Sequence, residues 1–148
     1  MKSVAIILVM LFIVSSSFAE TEIMTLLTEE EGALEDAPSS LYEVGRPFND
    51  GPKIQVVTPE TNNQYKSPMR ITILFVPIDN KDIDLSKLKV EFLKLFTIDL
   101  TKRVLPYATK EGINIEKADL PKGKHNIRIT IGDSQGGLTQ VVITAKII

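Results

Sequence analysis

Asn126-Ile127-Arg128-Ile129-Thr130-Ile131 is the stretch that decides the fold. Isoleucine at every second position, with polar residues between, buries one face of an extended strand and wets the other. The same period recurs outward from it. Ile71, Ile73 and Phe75 alternate with Arg70, Thr72 and Leu74, and Leu88, Val90 and Phe92 alternate with Lys89 and Glu91. Val141, Ile143, Ala145 and Ile147 alternate with Gln140, Val142, Thr144 and Lys146. Shorter candidates are Ile54–Val57, Ile113–Ile115 and an interrupted run over Ile98–Leu105. Turn residues punctuate them at Pro59 to Asn63, Pro77 to Asp84, Lys110 to Gly112, Pro121 to Gly123 and Asp133 to Gly137. The pattern predicts an all-β chain, an antiparallel β-sandwich of about seven short strands over residues 51–148.

Upstream of the strands the chain changes character twice. Lys2, the apolar run Val4–Val14 and the small residues Ser17 and Ala19 follow the order of a secretory signal peptide. Eleven apolar residues, at about 1.5 Å rise each, cannot cross a hydrocarbon core of about 30 Å. Residues 1–19 therefore read as a cleaved signal. The chain left behind is expected to be exported, periplasmic or extracellular, with no membrane span. Residues 20–50 hold nine acidic side chains against Arg46 alone, while residues 51–148 hold fifteen basic and ten acidic ones. The first part reads as a short acidic helix followed by a linker. Thr28 and Glu31 have capping-box spacing, glutamates fill the first turn, and Pro38 ends the segment, so a helix is expected near residues 29–35. Leu26, Leu27 and Leu34 could dock it on the basic sandwich, and the competing expectation is a free acidic arm.

Composition removes several chemistries. The chain has no Cys, which excludes disulfides, thiol nucleophiles and Cys-ligated metals, and one His, which excludes a multi-histidine metal centre. A formal charge of −2 gives no electrostatic basis for nucleic-acid binding. Hydrophobic residues make up 43% of the sequence, enough for a core that holds without staples.

Leu120-Pro121-Lys122-Gly123-Lys124-His125, running through the isoleucine strand to Asp133 and Gly136-Gly137, resembles the closing strands of bacterial immunoglobulin-like modules in exported proteins. Leu26–Glu31, Gly51–Pro59, Ser67-Pro68 and Ile98–Val104 are similar to segments of small exported bacterial proteins of unassigned activity. The resemblance implies an immunoglobulin-like sandwich and carries no catalytic residue. The sequence departs from antibody-type domains in lacking both the Cys pair and the core Trp.

Few residues suggest chemistry. His125, the one imidazole, lacks a G-x-S-x-G elbow to serve, and Ser134 lies in a turn without an evident partner. His125 reads better as a strand-edge residue whose ring bonds nearby backbone. Asp79, Asp82 and Asp84 are the best metal candidates, since calcium wants several oxygens on one loop. Neither possible EF-hand frame fits: Lys81 and Ile83 fall on ligand positions in one, and Lys87 on the glycine position in the other. A solvated turn explains these acids, and Asp133, Gly136 and Gly137, without a ligand. Tyr42, Tyr65 and Tyr107 are too few for a carbohydrate platform. The expected function is non-enzymatic: an immunoglobulin-like binding module, monomeric, needing no cofactor, with a protein or other cell-envelope partner. The alternatives are a small envelope enzyme or accessory domain using a carboxylate cluster, and a structural or adhesive subunit whose edge strand accepts a partner strand.

Overall fold

The computed structural model describes residues 20–42 and 49–148, so the expected signal peptide and residues Glu43 and Arg46 lie outside the described residues. The strands are β1 (Met24–Thr25), β2 (Lys53–Thr58), β3 (Gln64–Tyr65), β4 (Met69–Val76) and β5 (Ile83–Phe92). They continue as β6 (Ile98–Asp99), β7 (Ala108–Thr109), β8 (Gly112–Asp119), β9 (Gly123–Asp133) and β10 (Leu138–Ile147). Among the described residues there are also two one-turn α-helices, α1 (Glu29–Gly32) and α2 (Thr101–Val104).

The strands form two five-stranded sheets. One runs β1-β8-β4-β2 with β7 also on β8, and the other runs β3-β10-β9-β5-β6. The chain is all-β, and its two sheets bury the faces that the period-two pattern marks. Ile71, Ile73 and Phe75 of one sheet and Val90, Phe92, Ile127, Ile129 and Ile131 of the other join a single core cluster. The pairing departs from expectation in two ways. The described residues form ten strands rather than about seven, because four two-residue strands extend the sheet edges. The pairs β1–β8 and β3–β10 are parallel, whereas the rest are antiparallel.

Three local expectations need correction. Ile98–Leu105 is not a strand: after β6 the Asp99 carboxylate accepts the Thr101 N–H at 2.8 Å and starts α2. Pro106 then sits in a 3-10 turn over Leu105–Tyr107, where its missing N–H costs nothing. The Ile113–Ile115 strand extends to Gly112–Asp119, and a register shift opposite Met69–Ile71 brings Ala118 inward out of strict period. The acidic helix stops at Gly32 instead of reaching residue 35.

The acidic leader packs on the sandwich. Met24 and Thr25 pair with Ala118 and Asp119 on β8, and Leu26 and Leu27 enter the core, each 2% exposed. Thr28 and Glu31 form the expected capping box, with Glu31 N–H donating to Thr28 Oγ1 at 3.2 Å and Thr28 N–H to Glu31 Oε2 at 3.0 Å. Gly32 is required at its place because a Cβ there would lie 2.4 Å from Pro121 Cγ. Leu34 does not take part as expected and stays 45% exposed. Residues 36–52 are not a loose linker at their described ends. Asp36 bridges Lys94, Asn126 Nδ2 donates to Tyr42 Oη at 3.0 Å, and Asn49 bridges Thr139. Among the described residues no helix is long and apolar enough to cross a membrane.

Candidate functional site

The structure separates the residues that chemistry would need together. His125 is 1% exposed on the core face of β9. Its Nε2 lies 2.7 Å from the Pro121 carbonyl oxygen, so Nε2 donates, and Nδ1 has no partner among the described residues. Its ring meets Phe92 edge to face at 5.6 Å. This is a packed, backbone-bonded histidine.

The loop acids do not converge either. Asp84 Oδ1 accepts the Ser86 N–H at 3.0 Å and the Ser86 hydroxyl at 2.6 Å, which holds its carboxyl below the usual range. Asp79 and Asn80 take positive φ in the turn between β4 and β5, and the Asp82 carbonyl accepts Ser134 N–H at 2.9 Å. Among the described residues no three His, Cys, Asp or Glu side chains gather as a metal site would. Asp133 is buried and its Oδ1 accepts the N–H groups of Gln135 and Gly137 at 2.8 and 2.9 Å, while Gly136 turns the chain at φ +86°. The tyrosines serve three separate places. Tyr42 faces Asn126, Tyr65 accepts the Glu60 N–H at 2.7 Å, and Tyr107 packs against the core.

Charged groups mostly join elements. Lys94, whose side chain is 4% exposed, donates to the Asp36 carboxylate at 2.6 Å and the Gly32 carbonyl at 3.1 Å. Its ammonium also lies 5.1 Å from the centre of the Phe92 ring. Burial pushes the Glu91 carboxyl upward, but hydrogen bonds from Arg128 and Lys89 outweigh it and leave its pKa below the ordinary value.

A cleft of about 590 Å³ opens between β2 and β10, strands of different sheets that lie next to each other. Val56, Val141 and Ile143 give it an apolar floor; Asn62, Lys124 and Lys146 stand at its rim. The chain creates it by changing sheets. β2 pairs with β4 in one sheet, and after the Pro59–Asn63 turn β3 pairs with the far end of β10 in the other. Lys124 and Lys146 sit directly opposite each other across the β9–β10 ladder, and both are exposed. Among the described residues neither has an acidic partner within ion-pair distance. Sequence reasoning missed this site. Lys124 and Lys146 are both visible as outward positions of their strands, but the register that makes them neighbours is a tertiary fact.

No family model and no curated protein matches this chain. Among solved structures, it is similar to an endo-beta-1,4-mannanase from Thermotoga petrophila, with 15% identity and a TM-score of 0.45. The likeness covers 74% of this chain and 22% of the mannanase chain.

Proposed function

We propose that this chain is an exported, immunoglobulin-like module that works by binding a polypeptide partner rather than by catalysis. The observation that carries the reading is the cleft between β2 and β10, a concave, partly apolar surface bordered by backbone edges. The immunoglobulin-like part is supported by strand order. The first long strand lies beside β4, its continuation runs parallel to the last strand, and the remaining long strands alternate between the sheets as β4, β5, β8 and β9. The binding part is supported by the state of the groups that catalysis would use. His125 is packed against Phe92 and Pro121, and the acids of the β4–β5 loop are bonded in turns or apart.

The test is expression of the full chain in a bacterial host, with a photoreactive residue replacing Asn62 at the cleft rim. The expected results are a released chain beginning at Glu20 and crosslinks to a polypeptide through position 62. Turnover in a hydrolase panel, lost on substitution of a carboxylate, would replace the reading with the enzymatic one. A chain retained with residues 1–19 attached would remove export from it.

A further inference from the structure

From the backbone of β10 we infer that the cleft takes an acidic polypeptide segment in extended conformation, added as a strand to the outer edge of β10. This rests on the binding-module reading and gives it a partner chemistry. The β9–β10 ladder is unbroken from Leu138–Gly132 to Ile147–Gly123, so backbone groups on β10 alternate strictly between facing β9 and facing outward. Both ends of the strand fix which residues face outward. The Leu138 carbonyl accepts Gly51 N–H at 3.1 Å, and Ile148 N–H donates to the Tyr65 carbonyl at 2.9 Å. Even-numbered positions therefore point away from β9, and Gln140, Val142 and Thr144 aim their N–H and C=O groups at the cleft. The Asn49–Thr139 bridge is made through the outward groups of the flanking Leu138 and Gln140, and β3 covers only Lys146–Ile147, so among the described residues Val142 and Thr144 are left with no ladder partner.

The slot between those two contacts runs from Val141 to Ala145, about 17 Å at roughly 3.3 Å per residue, the length of a five-residue strand. An unpaired edge of this kind is a template for another strand. The opposite edge of the same sheet is blunted. There β5 slips register between Asp84 and Lys89, and Asp84 folds back on Ser86.

Side chains set the partner's character. Residues of an added strand that turn inward would meet Val56, Val141 and Ile143; those that turn outward would meet the rim lysines. Lys124 and Lys146 oppose each other directly, an arrangement that is destabilising until an anion joins it. Alternating apolar and acidic residues match both conditions. A basic segment matches only the first.

The probe is a capped heptapeptide alternating Glu and Val, titrated into the full chain by NMR, beside the same peptide with Lys in place of Glu. The expected result is protection of the Val142 and Thr144 amides from exchange by the Glu peptide, with affinity roughly 3- to 10-fold above the Lys peptide. That preference should reverse in a Lys124→Glu/Lys146→Glu variant. Three results would overturn the inference: protection of those amides before any peptide is added, meaning that the chain's own residues 43–48 hold the edge; protection that rises with protein concentration alone, meaning a second copy does; or equal binding of both peptides. Position-62 crosslinks to a polypeptide that leave the β10 amides unprotected would overturn the strand-addition proposal and leave the binding-module reading in place.

Discussion

Arg103 closes its two terminal guanidinium nitrogens on the Glu31 carboxylate, Nη1 to Oε2 at 2.8 Å and Nη2 to Oε1 at 2.6 Å, across 72 positions of chain. Nη1 also donates to the Leu26 carbonyl at 3.0 Å. One side chain of α2 thus fixes the capping box of α1 and the backbone that carries the buried leucines. Among the described residues the charge split of the sequence becomes two specific contacts, Arg103 with Glu31 and Lys94 with Asp36, not a diffuse attraction. Magnitudes rank the two parts of the docking. An exposed ion pair gives about 0–1 kcal/mol, and burying a leucine side chain about 1.5–3 kcal/mol. Leu26 and Leu27 hold the leader, and Arg103 sets its register.

That ranking gives the first prediction. Leu26→Ala should cost about 2–5 kcal/mol in urea unfolding, whereas Arg103→Ala should cost about 1–3 kcal/mol. Arg103→Lys should recover little, because a single ammonium cannot reproduce the two-pronged bond. If the Arg103→Ala loss exceeds the Leu26→Ala loss, the pair and not the leucines anchors the leader.

The same pair predicts an acid-sensitive term. Hydrogen bonds from Arg103 oppose the effect of burial and, with those from Thr28, hold the Glu31 carboxyl at about 2, against an ordinary 4.5. Its folded pKa lies below its unfolded one, so the stability it adds is complete above about pH 5 and is lost as pH falls toward 2. Since Arg103 is partly exposed, solvent screening limits that term to about 1–2 kcal/mol. Stability measured on the parent and on Glu31→Gln should differ by this amount near pH 6 and converge near pH 2. A gap that stays constant over the range would assign the loss to other carboxylates.

The sequence shows the sheets more readily than it shows their edges. Ile127, Ile129 and Ile131 announce their buried face because a strand's side-chain period is two and needs no partner to be seen. Glu31 and Thr28 are legible for a similar reason, as the capping box closes within four residues. The two-residue strands β1, β3, β6 and β7 carry no such period, since each exists only where a longer strand offers it an edge. Gly32 reads as a helix weakener from sequence and is in fact a close contact with Pro121, 89 positions away. The cleft is the least legible feature. Lys124 and Lys146 meet only through the β9–β10 register, and only the change of sheet after β2 brings Val56 to the same cleft.

Ile129→Ala tests the legible part. Ile129 is 1% exposed at the centre of β9, paired with Val141 on one side and Val90 on the other. Truncation should cost about 2–5 kcal/mol by urea unfolding, through lost transfer energy and the cavity left behind. A loss below about 0.5 kcal/mol is what an exposed position gives and would mean that the strand face is inverted.

Calcium tests the loop acids. At about 1 mM it should leave the melting temperature of the chain nearly unchanged, as Asp84 is spent on Ser86 and Asp79 lies in a left-handed turn. A site with a dissociation constant a hundredfold below the added calcium would contribute about 2.7 kcal/mol, a shift of several degrees. Such a shift, lost in Asp82→Asn/Asp84→Asn, would restore the loop as a metal site.

Gly32→Ala sets two effects of opposite sign against each other. In an exposed helix the change should stabilise by up to about 1 kcal/mol, since alanine is the better helix former. Here the new methyl carbon would sit 2.4 Å from Pro121 Cγ and 3.5 Å from the His125 Cε1. A proline ring cannot swing aside as a long side chain can, so the leader must lift or the Pro121–Gly123 turn must shift, at about 1–3 kcal/mol. The expected outcome is net destabilisation in urea, with the His125 ring signals moved in the NMR spectrum. Gly136→Ala is the comparison, because it meets nothing within 4 Å and pays only for its φ of +86°. It should lower stability by about 1 kcal/mol without moving those ring signals. Stabilisation by Gly32→Ala would mean that α1 does not rest on Pro121, and that the helix end nearest His125 stands clear of the sandwich.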